Sequence, residues 1–229
     1  MARKSRSGKE VMMVVFEELV HPKHSAIVVI DVQNDFCHTD GGHAKRGTDI
    51  SALANVVPDI IKLIEEGRKA GVPVIFVRNG HTKWTRSAAL KNKKGESDRP
   101  PLCEEGTWGA DFYRVQPLPG ENIVIKYRFS AFIGTNFDII LRTAGIKTLI
   151  MSGVTTNTCV ESTARQGFMM DYNIVFLKDC TATHHIEEHE ATLHNIELNF
   201  GFVRSSNELF RIWSALPSKE KELTALPGH

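Results

Sequence analysis

Residues 148–168, TLIMSGVTTNTCVESTARQGF, predict a strand, a turn and a helix in succession. The apolar run ends at Met151, the small residues GVTTNT follow, and a helical pattern begins at Cys159. Thr158 and Glu161 have the spacing of a capping box, which predicts that Cys159 is the first residue of the helix. At that position unpaired amides and the helix dipole favour a thiolate and can also bind an oxyanion. The stretch therefore favours a cysteine nucleophile, although a buried cysteine is more often a small core residue.

The same alternation of apolar runs and helical segments extends over most of the chain. The apolar runs predict strands at residues 26–30, 74–77, 122–125, 148–151, 174–177 and 202–203. Segments of helical period predict helices at residues 50–70, 136–144, 159–172, 187–199 and 207–215. Continuous apolar strands that alternate with helices predict an α/β fold, in which helices cover both faces of a parallel sheet. One connection, residues 79–121, is too long for an ordinary loop and is expected to cover a site, with short helices at 87–93 and 109–115.

The composition is that of one α/β domain. Of the 229 residues, 41% are hydrophobic and 24% are charged, and the formal net charge is +1. This balance argues against nucleic acid or an anionic membrane as a partner, and the apolar runs are shorter than the roughly 20 residues of a membrane-spanning helix. Four cysteines without C-x-x-C spacing favour neither a disulfide framework nor structural zinc, so a cytoplasmic location is expected. We expect one domain at residues 21–216, between an N-terminal tail at 1–20 and a C-terminal tail at 217–229.

Three reactive side chains follow predicted strands directly. Asp31 comes after the first strand, Lys126 ends the third, and Cys159 lies beyond the fourth. Ligands of open parallel sheets bind beyond the carboxyl ends of the strands, so these side chains are expected to share one edge. A lysine near a thiol lowers the pKa of the thiol, and a carboxylate can accept the thiol proton. The three residues therefore divide into a base, a cation and a nucleophile.

The motifs that carry these residues resemble those of the isochorismatase-like cysteine hydrolase superfamily. They are DVQNDF at 31–36, a lysine that closes the third strand, and GVTTNTCVESTARQGF at 153–168, and the resemblance extends from about residue 25 to about residue 203. It implies a three-layer α/β/α fold with a six-stranded parallel sheet. It also implies that Asp31 is the base, Lys126 the positioning cation and Cys159 the nucleophile. A cis peptide before Thr155 and an oxyanion hole formed by the amides of Thr155 and Cys159 are further implications.

Within the superfamily the chain is most similar to ureidoacrylate amidohydrolases, with biuret and triuret hydrolases and N-carbamoylsarcosine amidase nearby. The similar features are RNG at 78–80, EGTW at 105–108, the K-x-R-aromatic-S pattern at 126–130 and CVEST at 159–163. The resemblance implies a small ureido or amide substrate, a thioester intermediate on Cys159, the release of ammonia, and no cofactor. Tyr127 and Phe129 depart from the ureidoacrylate pattern, which leaves the substrate open.

Five residues are candidates for substrate binding: Phe36, Asn79, Trp108, Phe129 and Val154. The amide of Asn79 can both donate to and accept from a urea, and the indole of Trp108 can cover a planar group. The alternative interpretation is a turn asparagine and a lid tryptophan. Phe36 and Phe129 are either pocket wall or core.

The sequence predicts no metal site. Nicotinamidases, which also resemble this chain, bind a metal through an Asp-x-His motif, but Asn79 stands here in place of the aspartate and His81 alone is a poor site. Residues 185–189, HIEEH, match a zinc-peptidase pattern, but short patterns recur by chance. Cys37 is expected to line the pocket. The family implies a homo-oligomer, a dimer or tetramer, and the alternative to an enzyme is a non-catalytic binding member of the same fold.

Overall fold

A six-stranded, all-parallel sheet forms the centre of the structure, a computed structural model that describes residues 16–94 and 101–216. The strands lie in the order β3-β2-β1-β4-β5-β6. They are β1 (Ser25–Ile30), β2 (Val74–Asn79), β3 (Asn122–Lys126), β4 (Thr148–Val154), β5 (Asn173–Ala182) and β6 (Phe202–Arg204). The order reverses direction between β1 and β4, the point at which ligands of such sheets bind. The predicted sheet is confirmed.

Helices cover both faces of this sheet. They are α1 (Asn34–Cys37), α2 (Gly42–Lys45), α3 (Ser51–Asn55), α4 (Val57–Ala70), α5 (Ala88–Lys94), α6 (Phe137–Thr143), α7 (Glu161–Met169), α8 (Ile186–Asn199) and α9 (Ser206–Ala215). Alternate residues of β1 point to opposite faces. Ile27 and Val29 pack in one core cluster with residues of α4 and α9, and Val28 and Ile30 pack in the other with residues of α6, α7 and α8. The three-layer α/β/α arrangement is therefore confirmed.

Two predicted helices outside the nucleophile turn differ from the observed ones. The helix predicted at 50–70 is divided into α3 and α4, and Pro58, which lacks an amide hydrogen, occupies the first turn of α4. The helix predicted at 109–115 is wrong, because only a 3₁₀ turn, Trp108–Ala110, forms there. Beyond that turn the backbone is extended: the amide of Tyr113 donates to the carbonyl of Val32 over 2.8 Å. The long connection thus returns to the segment that follows β1, and its residues 95–100 lie outside the described part.

Strand β5 is longer than predicted and continues past the polar pair Lys178 and Asp179. It remains paired with the end of β4 through Gly153 opposite Thr181, after a register shift between Met151 and Gly153. Gly153 has φ 113, and a Cβ there would lie 2.0 Å from the carbonyl oxygen of Ile30. Only glycine allows β4 to approach β1 this closely just before the predicted nucleophile turn.

Part of the predicted N-terminal tail belongs to the domain. Val20 is fully buried, and Phe16 packs against the core cluster below α4 and α9. The remainder of that tail, residues 1–15, and the predicted C-terminal tail, residues 217–229, lie outside the described residues. Among the helices in the described ranges, none combines the length and apolar character that a membrane span requires.

Candidate active site

Asp31 stands immediately after β1 and is 1% exposed. Its backbone has φ 55, in the left-handed region that aspartate adopts more readily than most residues. The amide of Asp31 donates to the carbonyl of Val77 over 2.8 Å, which holds this residue against the end of β2. Backbone strain of this kind costs energy and is concentrated at functional sites, so the conformation itself makes Asp31 a candidate.

Lys126, the last residue of β3, is fully buried and surrounded by acceptors. Its Nζ lies 2.8 Å from Oδ2 of Asp31. The same atom lies 3.2 Å from Sγ of Cys159, 3.1 Å from Oδ1 of Asn79 and 3.2 Å from the carbonyl oxygen of Arg128. Burial alone lowers the pKa of Lys126, but attraction to Asp31 and Cys159 outweighs burial and raises the pKa above its ordinary value. Lys126 is therefore an ammonium ion at neutral pH.

Cys159 lies in a π-helical turn, Thr156–Val160, and not at the start of an α-helix. The predicted capping box is wrong: Thr155 is the N-cap of the turn, and α7 begins at Glu161. The carboxylate of Glu161 instead pairs with Arg165, with 2.6 Å between Oε1 and Nη2. The turn nevertheless places Cys159 directly before a helix, with its side chain against Lys126.

The thiol form of Cys159 is favoured over the thiolate, contrary to expectation. Burial raises the pKa of the Cys159 thiol to about 12, and the positive charge of Lys126 opposes this only in part. The carboxylate of Asp31, which also interacts with the thiol, raises the pKa further. Apart from Lys126 and the thiol, the carboxylate oxygens of Asp31 have no hydrogen-bond partner among the described residues. Asp31 is thus the group available to accept the thiol proton.

Replacing Asp31 with asparagine is expected to lower the pKa of Cys159, because the substitution removes a negative charge beside the thiol. In the unsubstituted protein the thiol persists through neutral pH, and thiolate forms only as the pH rises toward about 12. In Asp31→Asn the thiolate forms at lower pH. An ultraviolet absorbance titration measures both transitions, with the matching Cys159→Ala proteins subtracted. A thiolate signal at neutral pH in the unsubstituted protein, or an unchanged midpoint in Asp31→Asn, would contradict this account.

The peptide bond between Val154 and Thr155 is cis, as the resemblance implied. The carbonyl of Thr155 accepts hydrogen bonds from the amides of Thr158, at 3.2 Å, and Val160, at 3.3 Å. The amide of Cys159, which lies between Thr158 and Val160 in the sequence, does not donate to the carbonyl of Thr155. The assignment of the Thr155 and Cys159 amides to an oxyanion hole stays a prediction.

A family model for the isochorismatase domain matches residues 25–208. The chain belongs to the isochorismatase family. It is 38% identical over 205 residues to the ureidoacrylate amidohydrolase RutB of Agrobacterium fabrum strain C58, which covers 82% of this chain and 89% of that protein. The crystal structure of an isochorismatase-like hydrolase from Alkaliphilus metalliredigens is similar with a TM-score of 0.72 at 30% identity, over 83% of this chain and 99% of that chain. N-carbamoylsarcosine amidase from Thermoplasma acidophilum gives a TM-score of 0.65 at 25% identity, over 80% of this chain and 97% of that chain.

This isochorismatase-family hydrolase brings one predicted substrate-binding residue directly to the triad of Asp31, Lys126 and Cys159 that the sequence predicts. Asn79 is buried at the end of β2, and its Oδ1 accepts a hydrogen bond from Lys126. Val154, also buried, is the last residue of β4. This contact gives Asn79 a role other than substrate binding, because its side-chain oxygen helps to position the ammonium group of Lys126.

The three aromatic candidates are less enclosed. Phe36 is partly buried and packs against His43, with ring centroids 5.2 Å apart. Trp108 is 48% exposed and meets the ring of His38 edge-on at 4.9 Å, and Phe129 is 47% exposed. A half-exposed ring is compatible with either the wall of a substrate pocket or a lid over it. The role of these rings in binding stays a prediction.

Two residues of the DVQNDF motif organise the hydrolase site, and sequence reasoning gave them no role. Gln33 is fully buried; its Oε1 accepts from the amide of Asn79 at 2.8 Å, and its Nε2 donates to the carbonyl of Asn79 at 2.9 Å. The same Nε2 donates to the carbonyl of Ala110 at 2.7 Å, and Nδ2 of Asn34 donates to the carbonyl of Trp108 at 2.8 Å. Both side chains therefore fasten the long connection to the end of β1. The only sequence signal was that polar residues directly follow a buried strand.

Within the described ranges, no group of three or more histidine, cysteine, aspartate or glutamate side chains is arranged to hold a metal ion. Cys37 is buried, which raises the pKa of its thiol to about 12, and the nearby charge of Asp31 adds to this effect. Unlike Cys159, it is not paired with a lysine in the described part of the chain. The location of Cys37 in α1 leaves its predicted role as pocket lining untested.

Proposed function

We propose that the protein hydrolyses a C–N bond of a small ureido or carbamoyl compound, with Cys159 as the nucleophile, Asp31 as the base and Lys126 as the positioning cation. One observation carries the proposal. The Nζ atom of Lys126 lies 2.8 Å from the Asp31 carboxylate and 3.2 Å from the Cys159 sulfur. A buried acid, cation and thiol at hydrogen-bond distances form an activated nucleophile of the kind that covalent catalysis requires.

In the first half of the reaction, Asp31 removes the proton from the Cys159 thiol as the sulfur attacks the substrate carbonyl. The base is needed, because burial holds the pKa of the thiol at about 12 and little thiolate exists beforehand. The ammonium group of Lys126 stabilises the negative charge that forms on sulfur. The tetrahedral oxyanion is bound by the amides of Thr155 and Cys159, and Asp31 returns the proton to the nitrogen that leaves.

In the second half, water attacks the carbonyl carbon that is bound to sulfur, and Asp31 accepts a proton from that water. The C–S bond breaks, and Cys159 regains its proton. When the substrate is a ureido compound, the product that leaves sulfur is a carbamate, which decomposes to carbon dioxide and ammonia or an amine. Either nitrogen can leave first, and an unsubstituted ureido group yields ammonia in both cases. Dividing the reaction into two displacements lowers each barrier.

The proposed substrate class rests on the relatives. The similar proteins from Agrobacterium and Thermoplasma are named for ureidoacrylate and N-carbamoylsarcosine, which both contain a carbamoyl group on nitrogen. Asn79 beside Lys126 supplies an amide that can pair with such a group. Tyr127 and Phe129 differ from the ureidoacrylate pattern, so the group attached to the ureido nitrogen is tested and not assumed. A dimer or tetramer and a cytoplasmic location stay predictions.

A substrate panel tests this proposal. We expect ammonia release from at least one of ureidoacrylate, biuret, triuret and N-carbamoyl amino acids, with kcat/KM at least about 100-fold above that for nicotinamide, because a site that pairs with both ureido nitrogens rejects a simple aromatic amide. Cys159→Ala measured on the same panel is the control for contaminating hydrolases. Preference for nicotinamide would overturn the ureido assignment. Inactivity on every compound would favour a non-catalytic binding member.

A further inference from the structure

The HIEEH segment, residues 185–189, contacts the turn that carries Cys159. Nδ1 of His189 lies 2.9 Å from Oγ1 of Thr156, the first residue of that turn. Nδ2 of Asn157 donates to Oε2 of Glu188 over 2.9 Å. The start of α8 therefore holds two consecutive residues of the nucleophile turn through side chains. The segment that matches a zinc-peptidase pattern therefore contacts the candidate active site through hydrogen bonds to its nucleophile turn.

The direction of the hydrogen bond between His189 and Thr156 depends on which ring nitrogen of the neutral imidazole carries the proton. When the proton is on Nε2, Nδ1 is an acceptor and the hydroxyl of Thr156 is the donor. Thr156 is fully buried, so its hydroxyl proton has no access to solvent in place of Nδ1.

The surroundings of His189 favour this neutral form. Burial lowers the pKa of His189, and the Lys178 backbone and the carboxylate of Glu190 oppose burial only in part. Charged groups on the elements packed against α8 face other partners or solvent: in α7 the carboxylate of Glu161 binds Arg165, and in the nucleophile turn the Cys159 thiol faces Lys126. In β5 the carboxylate of Asp179 accepts from Ser206 and Lys178 is exposed, and in β6 Arg204 pairs with Glu197 of α8. The imidazole is thus uncharged at neutral pH and gains a proton only in acid.

We propose that His189 is a positioning residue, whose neutral imidazole accepts a hydrogen bond from Thr156 and thereby fixes the turn that presents the Cys159 sulfur and amide. This inference rests on the proposed role of Cys159 as nucleophile. Protonation of His189 converts Nδ1 into a donor, so the hydrogen bond reverses and the proton of the buried Thr156 hydroxyl is left without its acceptor, which weakens the hold on the turn. The contribution of His189 to kcat is therefore present at neutral pH and is lost as the pH falls.

Substitutions at both ends of the bond test the inference. Thr156→Val removes the donor and is expected to lower kcat by about 10- to 100-fold with little change in KM, because small displacements of a nucleophile have effects of this size. Thr156→Ser keeps the hydroxyl and restores kcat to within about threefold of the unsubstituted enzyme. Thr192→Val is the matched control: its hydroxyl, also buried in α8, donates to Glu161 of α7 at 2.9 Å and not to the nucleophile turn. We expect its kcat to be unchanged, with melting temperatures recorded for all three variants.

The pH profile separates positioning from simple stability. Gln at position 189 can donate and accept like a neutral imidazole but does not titrate, so His189→Gln is expected to keep kcat at about pH 8 and to lose less of it at about pH 5 than the unsubstituted enzyme. Imidazole NMR titration, performed in the Cys159→Ala background, follows His189 without turnover, and its midpoint shifts when Thr156→Val is added. Normal kcat in Thr156→Val, equal loss in Thr192→Val, or identical pH profiles for His189→Gln and the unsubstituted enzyme would overturn the inference. Full activity of Cys159→Ala alone would instead overturn the proposed function.

Discussion

Ammonia release from an N-carbamoyl substrate falls by about 10,000-fold or more when Cys159 is replaced with alanine. Removing the sulfur removes the atom that forms the covalent intermediate in the proposed mechanism, while Asp31 and Lys126 keep each other paired at 2.8 Å. The loss therefore appears in kcat, with the protein still folded. Cys159→Ser is expected to be nearly as inactive, since a hydroxyl is a much weaker nucleophile than a thiol and Asp31 is a weak base. Steady-state ammonia assays on purified protein measure both variants.

The matched control for this substitution is Cys180→Ala. Cys180 is also a buried cysteine and lies in β5, but its sulfur lies 3.7 Å from the carbonyl of Asp59 in α4, in the other core cluster. We expect Cys180→Ala to lower stability slightly and to leave kcat within about twofold, because core packing alone changes. Activity of Cys159→Ala above about one tenth of the unsubstituted value would exclude a covalent mechanism through this cysteine.

Lys126→Met is the substitution with the largest expected effect on stability. Methionine fills a similar volume, but it leaves the carboxylate of Asp31 buried at 1% exposure without its counter-ion. Breaking a buried ion pair by removing one partner costs about 3–5 kcal/mol in the free energy of unfolding. Urea denaturation of both proteins measures the difference. Activity falls as well, because the charge on sulfur loses its stabilising ammonium group.

A second substitution identifies the cause of that instability. Adding Asp31→Asn to Lys126→Met neutralises the orphaned carboxylate, so the double variant is expected to recover part of the lost stability while remaining inactive. Lys126→Leu, which is also apolar, serves as a check on packing and should be as destabilised as Lys126→Met. A double variant that is less stable than Lys126→Met would show that the ion pair is not the source of the effect.

The proximity of Asp31, Lys126 and Cys159 was predictable from sequence because it depends on a rule of topology. Asp31, Lys126 and Cys159 each follow a strand, and the carboxyl ends of parallel strands meet at one edge whatever the details of the loops. The prediction that the helix begins at Cys159 was less accurate, because α7 begins at Glu161. Glu161 has the spacing of a capping residue, but it binds Arg165 and Thr192, and Thr192 lies 31 residues away along the chain. The spacing of residues near position 161 carries no information about a hydrogen-bond partner so far along the chain.

The thiol form of Cys159 and the role of Gln33 were beyond sequence reasoning for a related reason. The pKa of Cys159 is raised mainly by burial, which results from the packing of several elements. Gln33 gains its importance from the carbonyls of Asn79 and Ala110, which approach it only in the folded chain. A polar residue after a buried strand is usually a turn residue. The partners of Gln33 are distant in the sequence, so the sequence did not indicate that this side chain holds the long connection in place.

The buried ion pair of Lys126 and Asp31 has a consequence for every step of the proposed cycle. At rest the ammonium balances the carboxylate; after proton transfer it balances the sulfur; in the tetrahedral state it balances the oxyanion. The three side chains and the bound substrate together therefore remain electrically neutral, although the negative charge moves from the carboxylate to sulfur and then to the substrate oxygen. A pocket of low dielectric tolerates a compensated pair but not an isolated ion. One permanent cation thus allows a buried site to stabilise a negative charge that changes position, without a second counter-ion.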